Sequence, residues 1–146
     1  MVKRTITFVD YNGKERTEDH YFNYTEAELS ELEWSKNGGF SEYVKRIVQA
    51  QDMAQISAVF KKVVLESYGI KSLDGRRFQK GENHEFAKEF METPAYNKLF
   101  MDLMTTKGAL AAFFNELVPQ AVVEKATEAR KRLEAEEEER KKNAIQ

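Results

Sequence analysis

The sequence predicts an α+β fold that is predominantly α: an N-terminal β-hairpin packed on a small helical domain over 1–119, then a long charged, projecting C-terminal helix over 120–146. Three observations predict it. Polar and apolar residues alternate from Val2 to Tyr24, apolar residues recur at i, i+3, i+4, i+7 through most of the chain between Thr25 and Pro119, and after Pro119 the apolar stripe thins while charge dominates. A chain of 146 residues buries about 68–70% of its unfolded surface, enough for one core without metals or disulfides.

In the hairpin, Val2, Ile6 and Phe8 lie on one side of the first strand and Lys3, Thr5 and Thr7 on the other. A two-residue turn at Asn12-Gly13 would set Tyr11 opposite Lys14 and put Phe22 on the polar face. A three-residue loop, Tyr11-Asn12-Gly13, with Gly13 left-handed in a bulge, sets Asp10 opposite Lys14 and Val2 opposite Phe22. The longer loop is therefore predicted. Because a lone two-stranded ribbon is marginal in water, its apolar face must lie on helices or on another chain.

Thr25-Glu26-Ala27-Glu28 reads as a capping box that starts a helix with Leu29 and Leu32 on its buried side and Trp34 well round from them. Asn37-Gly38-Gly39 stops it. Ser41 starts the next, whose core face is Val44, Ile47 and Val48. Beyond Ala50-Gln51-Asp52, a helix from Met53 to Tyr68 gathers Ile56, Val59, Phe60 and Val63 on one stripe, widened by Met53 and Val64. Asp52 is suited to cap its start and Gly69 to end it in a left-handed conformation. Gly69 to Lys80 reads as a basic loop around an Asp74-Gly75 turn.

A short helix is expected over Asn83 to Glu92, with Phe86, Phe90 and Met91 inward. Thr93-Pro94 restarts the chain as a cap followed by proline at the first helical position, where its missing donor costs nothing. Tyr96, Leu99, Phe100, Leu103 and Met104 form the next stripe; after a break from Thr105 to Gly108, Leu110, Phe113, Phe114, Leu117 and Val118 form another, ended by Pro119. From Gln120 the stripe is thin: Val122, Ala126, Ala129, Leu133. Glu128–Arg132, Glu136–Arg140, Glu137–Lys141 and Glu138–Lys142 place acid four residues before base, so a helix of roughly 20 residues is expected even without burial.

Chemistry has little to build on. With no cysteine, thiolate catalysis, disulfides and cysteine zinc sites are excluded together. His20 and His84 are the only histidines, and neither has converging partners in the sequence. Gly38-Gly39 follows a helix and lacks a P-loop lysine. No enzyme activity, cofactor or metal is predicted. A net charge of −2 provides no field for nucleic acid or an anionic membrane, and no apolar run approaches a membrane span. MVKRTITFVD is too short and strand-like for a signal peptide, so a soluble, cytoplasmic protein is expected.

The candidate partner-binding residues are Trp34, Tyr43, Arg76, Arg77, Phe78, Val122 and Leu133. Arg76-Arg77-Phe78 is the one local basic-aromatic cluster in a loop. Its plainer reading pairs the arginines with acids on neighbouring helices and uses Phe78 as an anchor; a protein contact is the alternative. Trp34 and Tyr43 face the same choice, between burial under the hairpin and a role as interface anchors. Val122 and Leu133 lie on a stripe that suits a helix laid along another helix, in a homo-oligomer or on a helical client.

In chain order, the hairpin running into Thr25-Glu26-Ala27-Glu28-Leu29, then Gly38-Gly39-Phe40-Ser41-Glu42-Tyr43-Val44-Lys45-Arg46-Ile47, Ser67-Tyr68-Gly69, Asp74-Gly75-Arg76-Arg77-Phe78, Thr93-Pro94-Ala95-Tyr96 and Leu99-Phe100-Met101-Asp102-Leu103 resemble the tail assembly chaperones of long-tailed phages infecting Gram-positive bacteria. The likeness covers roughly Val2 to Pro119 and leaves the charged C-terminal helix outside it. The resemblance implies a non-enzymatic factor that binds the tape measure protein, keeps it soluble in the host cytoplasm, helps bring tail tube subunits to it, and is absent from the finished virion. It also implies that Ala135 to Gln146 lies where a frameshifted extension would join, making this the short form. The family has no catalytic residues to carry over. A structural tail or head-to-tail completion protein, and a small phage inhibitor or regulator of a host protein, are the other classes weighed.

Overall fold

The computed structural model describes residues 1–145; Gln146, and with it the last position of the expected extension junction, lies outside the described residues. The fold is mostly helical, with an N-terminal antiparallel sheet and a long C-terminal helix, as predicted. By its contacts the chain forms two compact units: Met1–Tyr24 with Ser57–Leu117, and Thr25–Ile56 with Val118 onward.

The first unit is built on the hairpin. Strands β1 (Val2–Val9) and β2 (Glu15–Phe22) pair with Val2 opposite Phe22 and Val9 opposite Glu15. The three-residue loop is present: Asp10 N–H donates to the Lys14 carbonyl, Gly13 N–H to the Asp10 carbonyl, and Gly13 has φ 79°. The Asp10 carboxylate ties the loop down, accepting from the Asn12 and Lys14 amides and from Arg16 Nε at 2.7 Å.

The expected basic loop is a second hairpin. Helix α3 (Met53–Ser67) ends one residue earlier than predicted, and Tyr68 passes directly into β3 (Tyr68–Lys71), followed by β4 (Phe78–Gln79), giving a four-stranded antiparallel sheet in the order β1-β2-β3-β4. Gly69 is thus a strand residue opposite Tyr21, and it is not left-handed. Its missing side chain is still required. A Cβ there would lie 2.5 Å from the Phe78 ring and 2.7 Å from the Gln79 carbonyl.

Helices α4 (Glu85–Met91), α5 (Pro94–Thr105) and α6 (Ala109–Leu117) close this unit, α4 being preceded by a 3₁₀ turn at Glu82–His84. Thr93 precedes Pro94 as expected, but its hydroxyl donates back to the Phe90 carbonyl at 2.7 Å and leaves the next turn uncapped. The core is aromatic. Phe22 is fully buried and meets Tyr68, Phe90 and Phe113 edge-on at 5.5, 5.9 and 5.4 Å, while Tyr68 stacks flat on Phe90 at 4.5 Å.

The second unit comprises α1 (Glu26–Trp34), α2 (Phe40–Gln49), the first turn of α3, and α7 (Gln120–Ile145). The capping box at Thr25 and Glu28 forms with both reciprocal bonds, and Asp52 caps α3 through the Gln55 amide. Ser41 does not start α2. Gly39 is its N-cap, at φ 95°, and the acceptor comes from α1: buried Glu33 receives the Ser41 amide at 3.1 Å and the Ser41 hydroxyl at 3.0 Å.

Candidate functional site

Helix α7 is one continuous helix of 26 residues, about 39 Å long at 1.5 Å per residue. Its first turns lie against α1, with Val122 and Ala126 buried. Past Arg130 it is exposed, apart from half-buried Glu137. None of the four predicted i,i+4 pairs forms among the described residues. Arg132 reaches forward to Glu136 at 3.8 Å, and Arg140 back to Glu137 at 2.6 Å. Each of these charged side chains has alternatives within a turn and little to lose by exchanging them.

Two of the sequence candidates come together here. Trp34 is the last residue of α1 and, expected under the hairpin, is instead 40% exposed beside α7. Its indole N–H donates to the Ala126 carbonyl at 2.9 Å, and the Arg130 guanidinium donates to the Trp34 carbonyl at 2.8 Å, so the residue is held from both ends. Leu133, 56% exposed, is the next member of the stripe. Between them opens a groove of about 550 Å³ lined by Trp34, Arg130, Leu133, Glu134, Glu137, Glu138 and Lys141. Val122 lies on the same helix but is buried, and so is unavailable as a contact in this conformation.

The remaining candidates are elsewhere. Tyr43, half-buried on α2, packs against Phe40, holds the Lys36 ammonium over its ring at 4.4 Å and donates to Gln55. Arg76 and Arg77 stand exposed at the tip of the β3–β4 hairpin, where their guanidinium groups make no ion pair among the described residues; the predicted pairing with neighbouring helices does not form. Phe78 is an anchor, as expected, lying across Gly69. Leu73 beside them is fully exposed, a feature that the turn signal locates but does not single out. Hydrogen bonds close the tip: Ser72 N–H donates to the Arg77 carbonyl, and Asp74 accepts from the Ser72 hydroxyl and the Arg76 amide.

Two titratable residues of the first unit, His20 and Tyr68, belong to its core. His20 is buried against Phe90, with Nδ1 2.8 Å from the Tyr68 hydroxyl and Nε2 3.2 Å from Glu18. Burial lowers its pKa below the ordinary 6.5 despite the opposing pull of Glu18, and burial likewise pushes Tyr68 up to about 12. No three His, Cys, Asp or Glu residues gather into a metal site among the described residues.

The family model for phage tail assembly chaperones matches residues 1–146. The chain belongs to that family. The match takes in the charged C-terminal helix, which the sequence resemblance left out. No curated protein and no solved structure matches the chain. The chaperone is a non-enzymatic phage assembly factor whose partners are tail proteins. No helix among its described residues is long and apolar enough to cross a membrane.

Proposed function

We propose that the chaperone binds the tape measure protein in the host cytoplasm, keeps this long helical client soluble, and helps bring tail tube subunits to it during assembly in a phage of a Gram-positive host. The observation that carries this reading is the open groove between Trp34 and Leu133 on a helix otherwise densely charged. A holdase must offer apolar surface to its client while remaining dispersed itself, and a small apolar seat framed by charge meets both demands. Arg76, Arg77 and Leu73 at the hairpin tip form a second exposed surface suited to another partner, and we assign the tube subunit to it.

Co-expression with the tape measure protein tests the proposal. The client should remain in the supernatant and co-purify with the chaperone. A client that is equally insoluble with and without the chaperone, with no complex surviving purification, overturns it. Detection of the chain in purified mature particles would favour a structural tail or completion protein.

A further inference from the structure

The connection between α1 and α2 holds one of two Asn-Gly pairs, Asn37-Gly38; the other, Asn12-Gly13, lies in the loop of the first hairpin. Every other asparagine precedes a residue with a side chain. The pairing matters chemically, because a glycine lets its backbone nitrogen approach the carbonyl carbon of the asparagine side chain where a Cβ would stand in the way. Both asparagines are exposed, and neither side chain makes a hydrogen bond among the described residues. The difference between the two pairs lies in the nitrogen that would attack.

In the hairpin loop, Gly13 N–H donates to the Asp10 carbonyl at 3.0 Å, and the Asn12 and Lys14 amides on either side are held by the Asp10 carboxylate. The nucleophile must give up its bond before it can react. The Asp74-Gly75 tip repeats this protected pattern, with Gly75 N–H donating to the Ser72 carbonyl at 3.0 Å. Between α1 and α2 the arrangement is shifted by one residue. The turn is closed by the second glycine, Gly39 N–H to the Lys36 carbonyl at 3.0 Å, so Gly38 lies inside it and its N–H has no acceptor among the described residues. Gly38 is left-handed at φ 81°, and a Cβ there would meet nothing within 4 Å, so nothing crowds the approach.

We propose that Asn37 is a site of spontaneous deamidation. The Gly38 nitrogen, deprotonated by base, attacks Asn37 Cγ; the new C–N bond closes a succinimide and the side-chain nitrogen leaves as ammonia. Water then opens the ring at one carbonyl or the other, giving aspartate or isoaspartate at position 37. The isoaspartyl product carries the backbone through the former side chain and makes it one methylene longer between Lys36 and Gly39. That stretch sets Gly39 against Glu33, whose carboxylate holds the Ser41 amide and hydroxyl. Isoaspartate therefore withdraws the cap of α2, whereas ordinary aspartate keeps the backbone length and adds an acid on the N-terminal side of α2, where the helix dipole accepts it.

The full chain, incubated at mildly alkaline pH and sampled over days, tests this by mass spectrometry after brief tryptic digestion at mildly acidic pH. Cleavage after Lys14 and Lys36 puts the two Asn-Gly pairs in different peptides, and labelling by an isoaspartyl methyltransferase scores the isoaspartate. Conversion at Asn37 should be about tenfold faster than at Asn12, the scale of one backbone hydrogen bond that has to be broken first. It should rise with hydroxide concentration. In concentrated urea, where neither turn persists, the two sites should convert at similar rates. Asn12 converting as fast as Asn37 in the folded chain, no conversion at Asn37, or an undiminished lead of Asn37 in urea overturns the proposal. The isoaspartyl fraction, resolved by chromatography, should melt below the parent, while Asn37→Asp should melt close to it. An isoaspartyl fraction that melts with the parent overturns the link to the α2 cap.

Discussion

Replacing Gly39 with alanine would force a methyl group into the Glu33 carboxylate and hold a left-handed backbone that only glycine adopts without strain. The expected loss is roughly 1–3 kcal/mol, read as a lower urea midpoint. Glu33→Ala should cost a similar amount, about 1–3 kcal/mol, because the Ser41 amide and hydroxyl lose their acceptor. Neither effect is legible in the sequence: Gly38-Gly39 reads as a helix stop, but the acid that caps the next helix lies six positions upstream of Gly39, on α1. His20 supplies a pH dependence. Its folded pKa is depressed, so below its ordinary 6.5 the unfolded chain takes up a proton that the folded chain refuses. Stability should therefore be full at neutral pH and fall as pH drops through that value. Thermal melts between about pH 7.5 and 5 should show this slope in the parent and a shallower one in His20→Asn.

Among the elements, those with a strong local code are the ones that sequence reasoning places correctly. The hairpin register comes from the need to keep Val2, Ile6, Phe8 and Phe22 on one face, and the capping box places the start of α1. The second hairpin escapes it for a physical reason. A strand of four residues and one of two carry no usable period, and the pairing of Tyr68 with Phe22 is a long-range contact that outweighs helical continuation past Ser67. The misreading of Gly69 has the same origin, since a glycine after a helix is more often its end than a space for a ring. Gly69→Ala should displace β4 and unfold the Arg76–Arg77 tip locally, visible as broadened amide resonances there while the rest of the sheet persists. Phe22→Ala removes the ring at the centre of the aromatic cluster and should cost about 3–5 kcal/mol in chemical denaturation.

For the whole molecule, half of the candidate site can be read from sequence. Leu133 stands out by its place on the stripe and Trp34 by its residue type. That they share one groove depends on the packing of α1 on α7, across more than ninety positions of sequence, which no local pattern encodes. Two truncations probe that packing. Ending the chain after Pro119 removes Val122 and Ala126 from α1, so Trp34 emission should move to the red and α1 should lose helicity by circular dichroism. Ending it after Ala135 keeps those contacts and should leave the emission close to the parent's.

Helix α7 also holds two thermodynamic regimes in one unbroken element. Backbone amides near Val122 and Ala126 can exchange with solvent deuterium only when the packed unit opens, whereas those beyond Arg130 need only fraying of a solvated helix end. Protection should thus fall away along a helix whose geometry is uniform, and a docked client would be recorded as the levelling of that gradient.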